Sequence, residues 1–179
     1  TPGTPKATIQ ALINAYELEP GDVVYVDTGL YTLTTHITVG AEDQGSSAGR
    51  VSFRGSPHPD GTVLDRGGTA GGNYVFYLND SDYVQISGFR MQNAAAGVYT
   101  SNANYNVISE NRITGTGQGL YVAGSAVQNE LRNNVLANNT YGIYMAGWYY
   151  THSQPSSIVN NTFVNNSSAG VYLYDDVAQ

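Results

Sequence analysis

Cysteine is missing from this sequence, which excludes disulfide scaffolds and thiolate metal centres. Basic residues are scarce: seven Lys and Arg stand against 14 Asp and Glu, for a net charge of −7. That is the wrong sign for a nucleic-acid or anionic-membrane partner, because phosphates are bound by clustered Lys and Arg. No apolar run is long enough to span a bilayer, and no leader-peptide pattern stands at the start, so no membrane insertion is expected. Histidine is limited to His36, His58 and His152, which are far apart and match no metal-ligand spacing.

What fills the chain is a pair of short returning phrases. One reads Phe76-Tyr77-Leu78, Val98-Tyr99-Thr100, Leu120-Tyr121-Val122, Ile143-Tyr144-Met145 and Val171-Tyr172-Leu173, and from Val98 onward it recurs at intervals of 22, 23 and 28 residues. The other is Ile108-Ser-Glu-Asn111-Arg-Ile113, Leu131-Arg-Asn-Asn134-Val-Leu136 and Ile158-Val-Asn-Asn161-Thr-Phe163, with Ile86-Ser-Gly-Phe89-Arg-Met91 as an earlier copy. A period of this length means stacked units, and alternation at period two within each unit means strands. No helical pattern separates those strands, so the reading is a coil of strands in which each turn lies on the one before, a parallel β-helix.

In such a stack equivalent positions lie about 4.8 Å apart, so inward columns must be apolar on every turn. Phe76, Val98, Leu120, Ile143 and Val171 form one expected column, and Ile86, Ile108, Leu131 and Ile158 another. Asn111, Asn134 and Asn161 recur at a bend, where an amide can donate and accept along the stack while its neighbour takes φ > 0. Gly97, Gly119, Gly142 and Gly170 precede the tyrosine phrase and are expected to mark the other sharp corner.

The chain is read as one all-β domain over 1–179. Residues 4–18 hold the single helical pattern, with Ile9, Leu12, Ile13 and Tyr16 on one face. A short helix there would cap the open first coil. Residues 23–66 are expected to form irregular first coils, with a polar loop from Gly40 to Gly49, and 74–174 to form the regular ones. Beyond Leu173 no amphipathic cap follows, so the chain is expected to be a fragment of a longer one or to associate end to end through its last coil.

Ala7-Thr-Ile-Gln-Ala-Leu-Ile, Pro20-Gly-Asp-Val-Val-Tyr-Val and Gly29-Leu-Tyr31, together with the repeats Gly142-Ile-Tyr-Met and Ile158-Val-Asn-Asn-Thr-Phe163, resemble the right-handed parallel β-helix proteins of the pectin-lyase-like superfamily. The resemblance covers nearly the whole chain. It implies a secreted or cell-surface protein whose polysaccharide partner lies along the sheet that carries the tyrosine phrase. It does not choose an activity, since that superfamily holds lyases, hydrolases, epimerases and non-enzymatic surface proteins.

The residues narrow the choice. Hydrolysis needs two carboxylates roughly 5 to 9.5 Å apart. Asp80 and Asp175 follow the tyrosine phrase four coils apart, or about 19 Å, with no acid at the matching place between them. A lyase or epimerase needs a base and a cation. Arg90 and Arg112 fall at matching places on successive coils near Glu110, able to grip an acidic sugar or to stand as solvated surface charges. No catalytic residue is assigned. No cofactor is expected; calcium held by Asp80 and Asp82 is the alternative, although two carboxylates fall short of its usual six to eight oxygens.

Tyr77, Tyr99, Tyr121, Tyr144 and Tyr172 are expected to form one outward ladder. Tyrosine offers a ring for a sugar face and a hydroxyl to hydrogen-bond it. Stacked β-prone aromatics also stabilise a sheet with no ligand. Trp148 lies in the longest repeat, in a loop beside the ladder, and completes the candidate sugar-binding set with Arg90 and Arg112. The reading is therefore a polysaccharide-binding module. The alternatives are a purely structural or adhesive spacer and part of a polyuronate lyase or epimerase.

Overall fold

Strand after strand pairs in parallel with the strand one repeat away, because the alternating phrases return in register. The computed structural model describes residues 6–146 and 157–174. They wind through six coils, each giving one strand to each of three six-stranded parallel sheets, A, B and C. Coil 1 comprises Val23–Tyr25, Gly29–Thr32 and Ile37–Val39; coil 2 comprises Val51–Arg54, Thr62–Asp65 and Tyr74–Asn79. Coil 3 follows with Val84–Ser87, Phe89–Gln92 and Ala96–Ser101, and coil 4 with Val107–Ser109, Arg112–Thr114 and Gln118–Ala123. Coil 5 is Glu130–Arg132, Val135–Ala137 and Tyr141–Ala146, and coil 6 is Ser157–Val159, Thr162–Val164 and Ala169–Tyr174. This is the expected parallel β-helix.

The core is the set of inward columns. Phe76, Val98, Leu120 and Ile143 on sheet C face Ile86, Ile108 and Leu131 on sheet A and Met91, Ile113 and Leu136 on sheet B, all fully buried. Burying each such side chain stabilises the fold by roughly 1.5–3 kcal/mol. Coil 6 carries the columns outward into solvent: Ile158, Val171 and Leu173 are 37%, 41% and 56% exposed.

The corners are built from side-chain amides. At the A-to-B corner, Asn134 Oδ1 accepts from the Asn111 N–H at 3.1 Å, and its Nδ2 donates to the Ile108 carbonyl at 2.8 Å. Asn161 serves Asn134 in the same way. Two further ladders were not anticipated: Asn106 and Asn129 at the C-to-A corner, and Thr116, Asn139 and Asn166 at the B-to-C corner. The residue before each ladder position turns the chain through positive φ, as at Glu110, Asn133 and Asn160. These amides satisfy backbone groups that the coil buries at each turn, and each group left without a partner would cost about 1–3 kcal/mol.

Two expectations need correction. The N-terminal helix is only Ile9–Ile13, capped by Thr8, whose Oγ1 accepts from the Ala11 N–H at 3.0 Å. Its buried residues, Ile9 and Ile13, pack on the first coil, while Tyr16 lies exposed beyond its end. The glycines ahead of the tyrosines do not turn the chain: none of Gly97, Gly119, Gly142 and Gly170 has positive φ. They sit where sheet B side chains and the next coil's backbone press on sheet C. A Cβ on Gly97 would meet Ile113 Cγ2 at 2.6 Å and the Gly119 carbonyl oxygen at 2.7 Å. No helix among the described residues is long and apolar enough to cross a membrane.

Candidate functional site

Each tyrosine of the ladder lies between two inward residues, such as Val98 and Thr100 around Tyr99, so the pleat turns its ring outward from sheet C. Register then stacks the five: Tyr77 pairs with Tyr99, Tyr99 with Tyr121, Tyr121 with Tyr144 and Tyr144 with Tyr172. Successive ring centroids are 5.3, 4.8, 5.0 and 5.2 Å apart. The planes are not parallel throughout: Tyr99–Tyr121 and Tyr121–Tyr144 meet edge to face, whereas Tyr144–Tyr172 stack. The rings therefore use part of their faces on one another, and the column is only half-buried.

Two further tyrosines, three coils apart, widen this face. Tyr74 stacks on Tyr99 at 4.4 Å, and Tyr141 lies 5.1 Å from Tyr144 and 5.2 Å from Tyr172. His36 packs edge-on to Tyr77 at 5.6 Å. The two added tyrosines point outward because the residues at 75–76 and 142–143 both turn inward. The repeated Tyr-X-X-Tyr at 74–77 and 141–144 was the available signal.

The face is polar without being charged. Tyr77 donates its hydroxyl to Asn79 Oδ1 at 2.9 Å. Burial pushes the Tyr99 phenol up to about 12, with neighbouring phenols Tyr74, Tyr121 and Tyr77 adding to the shift and a hydrogen bond with Ser101 opposing it. Burial likewise raises Tyr74, Tyr121 and Tyr144. These hydroxyls stay protonated well above neutral pH and can both donate and accept.

The other expected site residues lie elsewhere. Arg90 and Arg112 are in register, but on the outside of sheet B, between Val63 and Val135, and so are not brought to the tyrosine face. Arg90 donates to the Pro59 carbonyl at 2.6 Å. Glu110 and Glu130 approach Arg132 instead, at 4.0 and 2.7 Å. Asp82 Oδ1 is taken by the Asn104 N–H and Nδ2 at 2.7 and 3.1 Å, while Asp80 is an exposed turn residue with φ of 52°. Trp148 and Asp175 fall outside the described residues.

Another aromatic group escaped the sequence reading. Tyr83 and Tyr105, both with positive φ at the C-to-A corner, stack in parallel at 4.7 Å. The Arg50 guanidinium lies 5.7 Å from the Tyr83 ring and donates to the Tyr105 carbonyl. Their rings are spent on each other and on Arg50, which marks them as a corner brace.

A family model described as "Periplasmic copper-binding protein (NosD)" matches residues 60–179. Among solved structures, an alginate lyase from Paenibacillus sp. str. FPU-7 is similar at 23% identity and a TM-score of 0.60, covering 94% of this chain and 55% of its own. The catalytic domain of a GH87 alpha-1,3-glucanase in complex with nigerose gives 16% and 0.62, covering 96% and 36%. A pectin methylesterase in complex with a hexasaccharide gives 12% and 0.53, covering 98% and 64%. The chain thus spans about half of that lyase and about a third of that glucanase domain. At these identities the likeness is one of fold. No curated protein matches.

Proposed function

We propose, from the premise that this chain belongs to the NosD family, that it serves outside the cytoplasm as a module holding a polysaccharide along the tyrosine face of sheet C. The observation that carries this reading is the ladder itself: five tyrosines in register, at 4.8 to 5.3 Å, on one uncharged face. A linear polymer of pyranoses repeats on the same scale, so successive sugars can meet successive hydroxyls and ring edges. The periplasmic description of the family supports a place beyond the cytoplasm. Polysaccharides are also what the similar solved structures act on or hold, by their own descriptions.

Copper, which the family description names, has no evident seat in the described residues. Copper takes imidazole, thiolate and thioether donors. The sequence has no cysteine, and Met91 and Met145 are buried in the core on sheets B and C respectively. His36 packs against Tyr74 and Tyr77, His58 lies 3.5 Å from Asp60, and His152 falls outside the described residues. No three of His, Cys, Asp and Glu gather among the described residues.

A structural spacer is the second reading, favoured by the ring-to-ring contacts that already occupy part of each tyrosine. The two separate on one experiment. Replacing Tyr99, Tyr121 and Trp148 by Ala should abolish retention on an immobilised glycan that holds the native chain, in a variant whose circular dichroism shows it folded. Undiminished retention by that folded variant would remove the tyrosine face as the binding surface, and failure of the native chain to be retained on any glycan would leave the spacer reading standing.

A further inference from the structure

Resting on the glycan reading of the tyrosine face, we infer that the chain held there is an uncharged polysaccharide and that polyuronates are discriminated against. The outward positions of sheet C are Tyr, Asn, Ser, Thr, Gln and Ala, with His36 at the rim; none is Asp, Glu, Lys or Arg. All seven basic residues are accounted for on other surfaces. Arg54 and Arg132 belong to sheet A, and Arg90 and Arg112 to sheet B. Arg50 is committed to Tyr83 and Tyr105. Arg66 donates to the Leu33 carbonyl at 3.3 Å, and Lys6 lies over the Tyr16 ring at 5.4 Å.

A uronate laid along this face would surrender part of its carboxylate hydration and meet no cation in return. It would also approach a molecule of net charge −7. A neutral sugar pays neither cost. Its hydroxyls both donate and accept, as do the phenols, so the pairing is complementary without charge.

The test compares a methyl-esterified oligogalacturonide with the same oligomer after de-esterification, which exchanges each methyl ester for a carboxylate, and with a neutral gluco-oligosaccharide of equal length, which carries neither. Calorimetric titration of the full chain should show the acid binding at least about tenfold more weakly than the better neutral ligand. The gap should narrow on adding salt and in Gln118→Lys, which places a cation in register with Tyr141 on the same face. Equal or tighter binding of the acid would overturn the inference while leaving the groove in place. Binding of none of the three would remove the groove reading, and this inference with it.

Discussion

At Gly119 the room for a side chain runs out. A Cβ there would meet the Gly142 carbonyl oxygen at 2.5 Å and Leu136 Cδ2 at 2.9 Å, one a backbone atom of the next coil and the other a core side chain. The methyl group cannot be accommodated without moving sheet C away from sheet B. Overpacking of this kind costs about 1–3 kcal/mol. Gly119→Ala is therefore expected to lower the unfolding free energy by that amount in urea denaturation, and Gly67→Ala provides a contrast. Gly67 has open space around it but a φ of +78°, so its cost is one of backbone conformation alone. A native-like stability for Gly119→Ala would mean that the contact between sheets B and C is looser there than its geometry implies.

Strands and ladders behave as units, and the tyrosine ladder has a unit-level response to pH. Burial raises Tyr99 from an ordinary 10.0 to about 12, and raises Tyr74, Tyr121 and Tyr144 as well. Below pH 10 the folded and unfolded chains both keep these protons, and the ladder's contribution is intact. As pH rises from about 10 toward 12 the unfolded chain releases protons that the folded chain retains, so stability falls across that window. Melting temperature should accordingly drop steeply above pH 10, and phenolate absorbance in the folded protein should lag that of free tyrosine; a flat profile would count against the burial. This ladder was legible because Val-Tyr-Thr and its copies carry both the period and the alternation. The Asn111–Asn134–Asn161 ladder was legible for the same reason. The other two corner ladders were not, because Thr116 replaces asparagine on one coil and Asn106 and Asn129 lie outside the repeated phrase. The helical pattern outruns the helix because apolar spacing continues to Tyr16, which lies exposed beyond the last turn with no core to bury against. Arg90 and Arg112 were rightly placed in register with each other, but spacing alone does not say which of three sheets a matching pair occupies relative to the tyrosines.

For the whole molecule the stack is close to one-dimensional, since each strand pairs only with strands of the coils directly above and below it. Stability should then be distributed by position along the axis rather than by residue type. Ile108 and Ile158 occupy the same inward column, yet one is 1% exposed between two neighbours and the other 37% exposed on coil 6. Ile108→Ala should cost about 2–5 kcal/mol, the range for a buried isoleucine, and Ile158→Ala distinctly less, because its methyls leave water only in part. The same gradient should appear in hydrogen exchange, with the amides of Val107–Ser109 and Gln118–Ala123 slowest and those of Ser157–Val159 and Ala169–Tyr174 opening first. Protection of coil 6 equal to that of coil 4 would mean that its exposed Val171 and Leu173 are covered in solution. If that protection rose with protein concentration, the cover would be a second copy docked on the last coil; if it did not, the cover would come from the chain itself.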